Sequence, residues 1–143
     1  MDTGRSRTLA FQILFCVCGI WLIGLGLYFV FLRPALLPED LRYIGATLRE
    51  IQAAAPGIDR WLRHVFVVMG GFMMSAGMLT IYLMSNLSHV QKKWTLVLAA
   101  LAGVSTVGTM SVTNFQLDSD FKWLLLLPAL LWAVGLVLYQ RHE

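Results

Sequence analysis

Uncharged, almost wholly apolar sequence runs from position 9 to 32 (LAFQILFCVCGIWLIGLGLYFVFL), and three similar runs follow at 61–84, 94–113 and 121–139. Each is close to or above the roughly 20 residues that an α-helix needs to cross a bilayer core. Ionisable residues inside these runs stay at their ends: Arg63 and His64 in the second, Lys122 in the fourth. The runs are continuously apolar and do not alternate with polar residues, which excludes a membrane β-barrel. Arg5 and Arg7 before the first run have the look of a signal peptide. Its apolar core is too long for one, however, and it continues into Arg33-Pro34 without a small-residue cleavage site, so a retained anchor is expected.

The pattern therefore predicts an all-α membrane protein, a single domain over residues 1–143. Two connections, 85–93 and 114–120, are short, and short links make consecutive helices antiparallel neighbours. The expected architecture is an antiparallel four-transmembrane-helix bundle in which spans two, three and four run up and down beside one another. The connection 33–60 is the sizeable part outside the membrane. Within it Pro38, Glu39 and Asp40 suit the first turn of a short helix, which Gly45 would stop. Thr47-x-x-Glu50 has the form of a capping box that opens a second short helix, ending before Pro56-Gly57. Asp59 is placed to cap the second span. Leu41, Ile44, Leu48 and Ile51 recur at spacings of three and four, giving one apolar face opposite Arg42, Arg49 and Glu50. Residues 37–57 are thus expected to form a short amphipathic helical cap on the bundle mouth or membrane surface. It reads either as a connector that shields helix ends or as a lid over a site between the helices.

Composition agrees with the pattern: 58% of the 143 residues are hydrophobic, 13% are charged, and the mean hydropathy is +0.71. About a quarter of an ordinary soluble domain is charged, and a disordered chain needs low hydrophobicity, so both classes are excluded. A net charge of +3 comes from cations scattered among loops and helix ends, with no basic stripe for nucleic acid. Cys16 and Cys18 lie roughly 200° apart around a helix, which rules out a shared metal and makes them packing or lipid-facing residues. No cofactor-binding or metal-ligating pattern is expected.

Lys and Arg do not decide the orientation by number. With the N-terminus inside, the inner face carries Arg5, Arg7, Lys92, Lys93 and Arg141, and the outer face Arg33, Arg42, Arg49, Arg60, Arg63 and Lys122. The pair Arg5 and Arg7, close before the first helix, favours cytoplasmic N- and C-termini. Trp61, Trp123 and Tyr28 fall near one membrane face and Trp94, Tyr82 and Tyr139 near the other, as interfacial aromatic belts do.

Ionisable groups in spans are costly and mark candidate functional positions. His64, about one turn inside Trp61, is the group that qualifies, either as an interfacial histidine or as a proton or ligand contact paired with Asp118 or Asp120. Arg63, His64, Asn114 and Asp118 are accordingly the candidate ligand-mouth residues, in a polar ring beside the cap. Gly71-x-x-x-Ser75 in span two and Ala99-x-x-x-Gly103 in span three have small-xxx-small spacing and are the candidate helix-packing residues, within the monomer or between copies. Met69, Met73 and Met78 read as flexible packing rather than a copper path. Pro128 is expected to kink span four.

Leu37-Pro38-Glu39-Asp40, the aromatic-apolar-glycine that follows, Thr47-x-x-Glu50, His64 and Gly70-Gly71 together resemble a group of small uncharacterised bacterial four-span membrane proteins, over about Leu37 to Gly77. The resemblance implies the four-span fold and a location in the bacterial inner membrane, and it implies no activity. In that group an acidic residue follows the histidine, whereas here Val65 stands there, which weakens a charge-pair role for His64. Two functions are expected from the residues. One is a non-enzymatic association or accessory subunit, favoured by the lack of charge at mid-span. The other is binding or transport of a small apolar or amphipathic molecule in a cavity under the cap. No motif of catalytic spacing is present. The lipid bilayer is the expected partner, with a second copy or another membrane protein as candidate contacts and no nucleic acid.

Overall fold

The structure, a computed structural model, describes residues 3–86 and 92–141, with side chains described from Leu9 to Asn86 and from Trp94 to Arg141. Most of the 85–93 connection and the side chains of Arg5, Arg7, Lys92 and Lys93 lie outside the described residues. The helices are α1 (Thr3–Phe31), α2 (Pro38–Ile44), α3 (Leu48–Ala54), α4 (Ile58–Ser85), α5 (Lys92–Gly103), α6 (Thr109–Gln116) and α7 (Lys122–Gln140); a π-helical turn, Val104–Gly108, joins α5 to α6. Four helical segments are long and apolar enough to cross a membrane: Leu9–Phe31, Ile58–Ser85, Trp94–Gln116 and Lys122–Gln140. Their large apolar side chains point outward to an extent no soluble surface tolerates, with Ile20, Phe72, Leu79, Leu101 and Val104 all more than half exposed. The chain is a multi-pass, all-α membrane protein.

The neighbour relations differ from those that short connections suggest. Helix α4 packs along α1, α1 also packs against α7, and α7 carries α5 and α6; α4 and the α5–α6 span have no extended contact. The cause is a glycine pairing between α1 and α4. Gly19 and Gly26 are seven residues apart, as are Gly70 and Gly77, and in antiparallel register Gly26 meets Gly70 while Gly19 meets Gly77. A Cβ on Gly26 or on Gly70 would lie 2.6 Å from the other's carbonyl oxygen. Without hydrophobic drive between helices in lipid, such close backbone approach supplies the packing. Gly70 and Gly77 of span two therefore face span one, not span three.

The α1–α7 seam is aromatic. Phe11 meets Tyr139 edge-on at 5.0 Å and Phe15 meets Trp132 at 5.1 Å, with Gly135 leaving room for the Phe15 ring. Tyr139 is thus a core residue rather than an interfacial anchor. Trp132 also fixes α5, donating from Nε1 to the Ala99 carbonyl at 2.9 Å over the space that Gly103 leaves free. The Cys18 thiol reaches the carbonyl of Pro128 at 3.5 Å, and α7 runs through that proline as one helix.

The cap forms as its signals require. Gly45, at φ 73, ends α2 by donating to Leu41. Thr47 and Glu50 complete a reciprocal capping box at α3. Asp59 does not cap α4. Gly57 takes that position, and Asp59 sits in the first turn, where it accepts a 2.6 Å hydrogen bond from Gln52 Nε2. The apolar stripe of the cap is divided: Leu41 and Ile51 are half-buried, whereas Ile44 and Leu48 are exposed, beside an exposed Tyr43.

Candidate functional site

Where α4 and the α5–α6 span stand apart, a cavity of about 700 Å³ remains between them, floored by α1 and α7 and roofed by α2. Three walls differ in chemistry. Met69, Phe72, Met73 and Ala76 of α4 give an apolar wall; Trp21, Leu22, Leu25 and Phe29 of α1 give an aromatic and aliphatic floor. The facing wall carries hydroxyls: Ser105, Thr106, Thr109 and Thr113, followed by Asn114. The π-helical turn arises here, and π-turns recur at functional sites. Thr106 Oγ1 donates to Ala102 O and Thr109 Oγ1 to Val104 O, five residues back, so the wall's own hydroxyls occupy the carbonyls that the wider turn disturbs.

The mouth is ionic. Arg33 follows the end of α1, its guanidinium 3.7 Å from the Phe66 ring centroid and 5.1 Å from that of Phe29, and 3.3 Å from Asp40. Its side chain is only 11% exposed, so the cation is held by an aromatic sandwich and one carboxylate. Asp40 also accepts the Leu37 N–H at 2.8 Å and so opens α2 from its own first turn. Glu39, at 4% exposure, is buried against the α6–α7 connection, where Ser119 Oγ donates to its Oε1 at 3.2 Å.

That connection turns on Asp118, the described non-glycine residue with positive φ, at 49°. Asparagine and aspartate tolerate this left-handed region better than other side chains. The turn closes as a Schellman motif, with Ser119 N bonded to Asn114 O and Asp118 N to Phe115 O. Its effect is to send Ser119 inward, under α2, and Asp118 outward.

Of the sequence-predicted mouth residues, Asn114 lines the cavity, while Arg63, His64 and Asp118 do not. His64 is exposed and its Nδ1 lies 2.7 Å from the carbonyl of Arg60, one turn back on its own helix. It pairs with neither aspartate: Asp118 is bound to Lys122, and Asp120 to Arg42 at 2.8 Å. Lys122, through its hydrogen bond and then its charge, holds the Asp118 carboxyl below the usual range, and Asp120 in the same way raises the Arg42 guanidinium. Around α4, His64 lies opposite the cavity side marked by Phe66, Met69 and Met73, and the exposed Arg63 lies about a quarter-turn from that side.

Gly71 and Ser75 also face outward, with nothing within 4 Å of a Cβ on Gly71. Within the chain the close contacts of α4 belong to Gly70 and Gly77 instead. Ala99 and Gly103 are buried and receive Trp132. Ser119 carries no signal in the sequence, and Arg33 and Glu39 stand there as a mouth-side cation and a helix-start acid. Arg33-Pro34 and Pro38-Glu39-Asp40 are visible in the chain as a helix end and a helix start, but only folding α2 back over the bundle brings Glu39 against Ser119. No family model, curated protein or solved structure matches this chain.

Proposed function

We infer that this protein binds, or passes across the membrane, a small apolar or amphipathic molecule in the cavity between α4 and the α5–α6 span. The reading rests on one observation: a cavity of about 700 Å³ that reaches membrane-span residues, apolar on two walls and polar at its mouth. Ligand pockets are commonly of this size and character. The cap supplies a roof that a protein working only by helix association would not need. Two ties fasten it to the far side of the mouth, Glu39 to Ser119 and Arg42 to Asp120. Both termini belong on the cytoplasmic side of a bacterial inner membrane, on the strength of Arg5 and Arg7 and of the family resemblance.

Uptake of an environment-sensitive apolar fluorophore by the purified protein in detergent tests the cavity. Thr113→Trp, on the lining, is expected to abolish saturable uptake while leaving the melting temperature unchanged. Uptake that survives this substitution would refute the cavity as the site. Absence of uptake in the parent protein, with a co-purifying membrane partner, would instead favour an accessory subunit acting through its outer faces. A reporter fused to the C-terminus and active only in the cytoplasm checks the orientation.

A further inference from the structure

At this cavity, two polar groups have hydrogen-bonding capacity that the described residues leave unused. Glu39 is a carboxylate at 4% exposure, and among the described residues it accepts a single hydrogen bond, a neutral one from Ser119. A carboxylate offers about four acceptor sites, and an ionised group out of water is costly unless paired. The nearby cations are already committed. Arg33 is matched by Asp40 and covered by Phe66. Arg42 feels Glu39 but is bonded to Asp120 in water, with its side chain 57% exposed. Arg33, Asp40 and Glu39 together therefore leave one negative charge at the mouth. Deeper in, beside the same cavity, the indole N–H of Trp21 is buried with no hydrogen-bond partner among the described residues.

We propose that Glu39 makes this a site for cationic amphipathic molecules, whose protonated amine completes the shell of the Glu39 carboxylate while an alkyl or aryl body lies along α1. The inference rests on the cavity reading above and names the ligand class for it. From Trp21 to Phe29 the α1 floor is about 12 Å long at the helical rise of 1.5 Å per residue, room for an alkyl chain of medium length. The unpartnered Trp21 N–H suits a ligand that carries an ether, ester or hydroxyl oxygen within that body. An anionic head meets Glu39 unfavourably, and Arg33 offers it no uncommitted charge. The amine belongs either to a free amphipathic molecule or to a bilayer aminolipid, and both present the same ammonium.

Calorimetric titration in uncharged detergent, with protein-free micelles as the blank, separates the claims. The probes are dodecylammonium, dodecanol and dodecanoate. Dodecylammonium is expected to bind about ten- to a hundredfold more tightly than dodecanol, the span of one charge-assisted hydrogen bond, and dodecanoate more weakly than either. Glu39→Gln keeps the shape and an acceptor for Ser119, and is expected to bring the ammonium and the alcohol to equal affinity. Glu39→Asp, a second variant in case the first is poorly folded, is expected to retain the preference in part. Equal binding of all three probes to the parent protein, or a cation preference that persists in Glu39→Gln, overturns the proposal and leaves the cavity reading standing. Failure of every probe to bind overturns both. Displacement of dodecylammonium by phosphatidylethanolamine assigns the amine to a lipid headgroup, and resistance to displacement assigns it to a free molecule; either supports the site.

Discussion

Gly26 of α1 and Gly70 of α4 meet backbone to backbone, so that neither position has room for a β-carbon. The same contact recurs one heptad along, between Gly19 and Gly77. This double contact commits α4 to α1, and the adjacent flank of α4, with Met69 and Met73, is left unmatched by α5 and α6, which is where the cavity opens.

Gly70→Leu is therefore expected to destabilise the protein by about 1–3 kcal/mol, the usual cost of overpacking, and to loosen α1 from α4. Gly71→Leu, one residue on and facing outward, is expected to be nearly neutral. Thermal unfolding in detergent compares the two; equal losses would show that the glycine register does not hold the helices.

The lock between α5 and α7 is a second target. Trp132→Phe keeps a ring beside Phe15 but loses the hydrogen bond to Ala99, at a cost of about 1 kcal/mol. Gly103→Ala puts a methyl into the indole nitrogen and is expected to cost about 1–3 kcal/mol. The two changes touch the same contact, so the double variant is expected to lose less than the sum of the singles. Strict additivity in a thermal-stability cycle would contradict the packing described.

Arg33 ties the end of α1 to the cap. Arg33→Met leaves Asp40 without its cation and Phe66 without its stacked guanidinium, and is expected to weaken the fastening of α2 by about 2 kcal/mol. Arg33→Lys restores charge but not the flat stack, and recovers only part. Hydrogen exchange across Pro38–Ile44 reports both; unchanged protection in Arg33→Met would dissociate the arginine from cap order.

Acid acts on the second cap helix. The Thr47 backbone N–H, and then its hydroxyl, hold the Glu50 carboxyl below the usual glutamate range. A carboxyl depressed in the folded state contributes stability that is complete above its unfolded value, about 4.3, and is lost as pH falls through the lower folded value. The amide resonance of Thr47 is expected to titrate in that acidic window and to stay flat in Glu50→Gln. A midpoint at or above the ordinary glutamate value would contradict the capping box.

The elements of this protein follow from local sequence. Uninterrupted apolar runs of spanning length leave the backbone no alternative to helix in lipid, and Pro38, Gly45 and the Thr47–Glu50 box act within a turn or two of themselves. Span boundaries and both cap helices are accordingly legible in the chain, and so is Asn114 at the cavity. Which helices touch is a different kind of fact. Gly19 and Gly26 gain meaning only when a second helix brings Gly70 and Gly77 into antiparallel register, and short connections name sequence neighbours rather than packing partners. The same holds for the site. Asp118 attracts notice as a charge in a short loop, but its left-handed turn sends it into water and brings the unremarkable Ser119 against Glu39. Burial turns Glu39 from one acid among eight into an incompletely bonded carboxylate at the mouth of a cavity, and burial exists only once α2 has folded across the bundle.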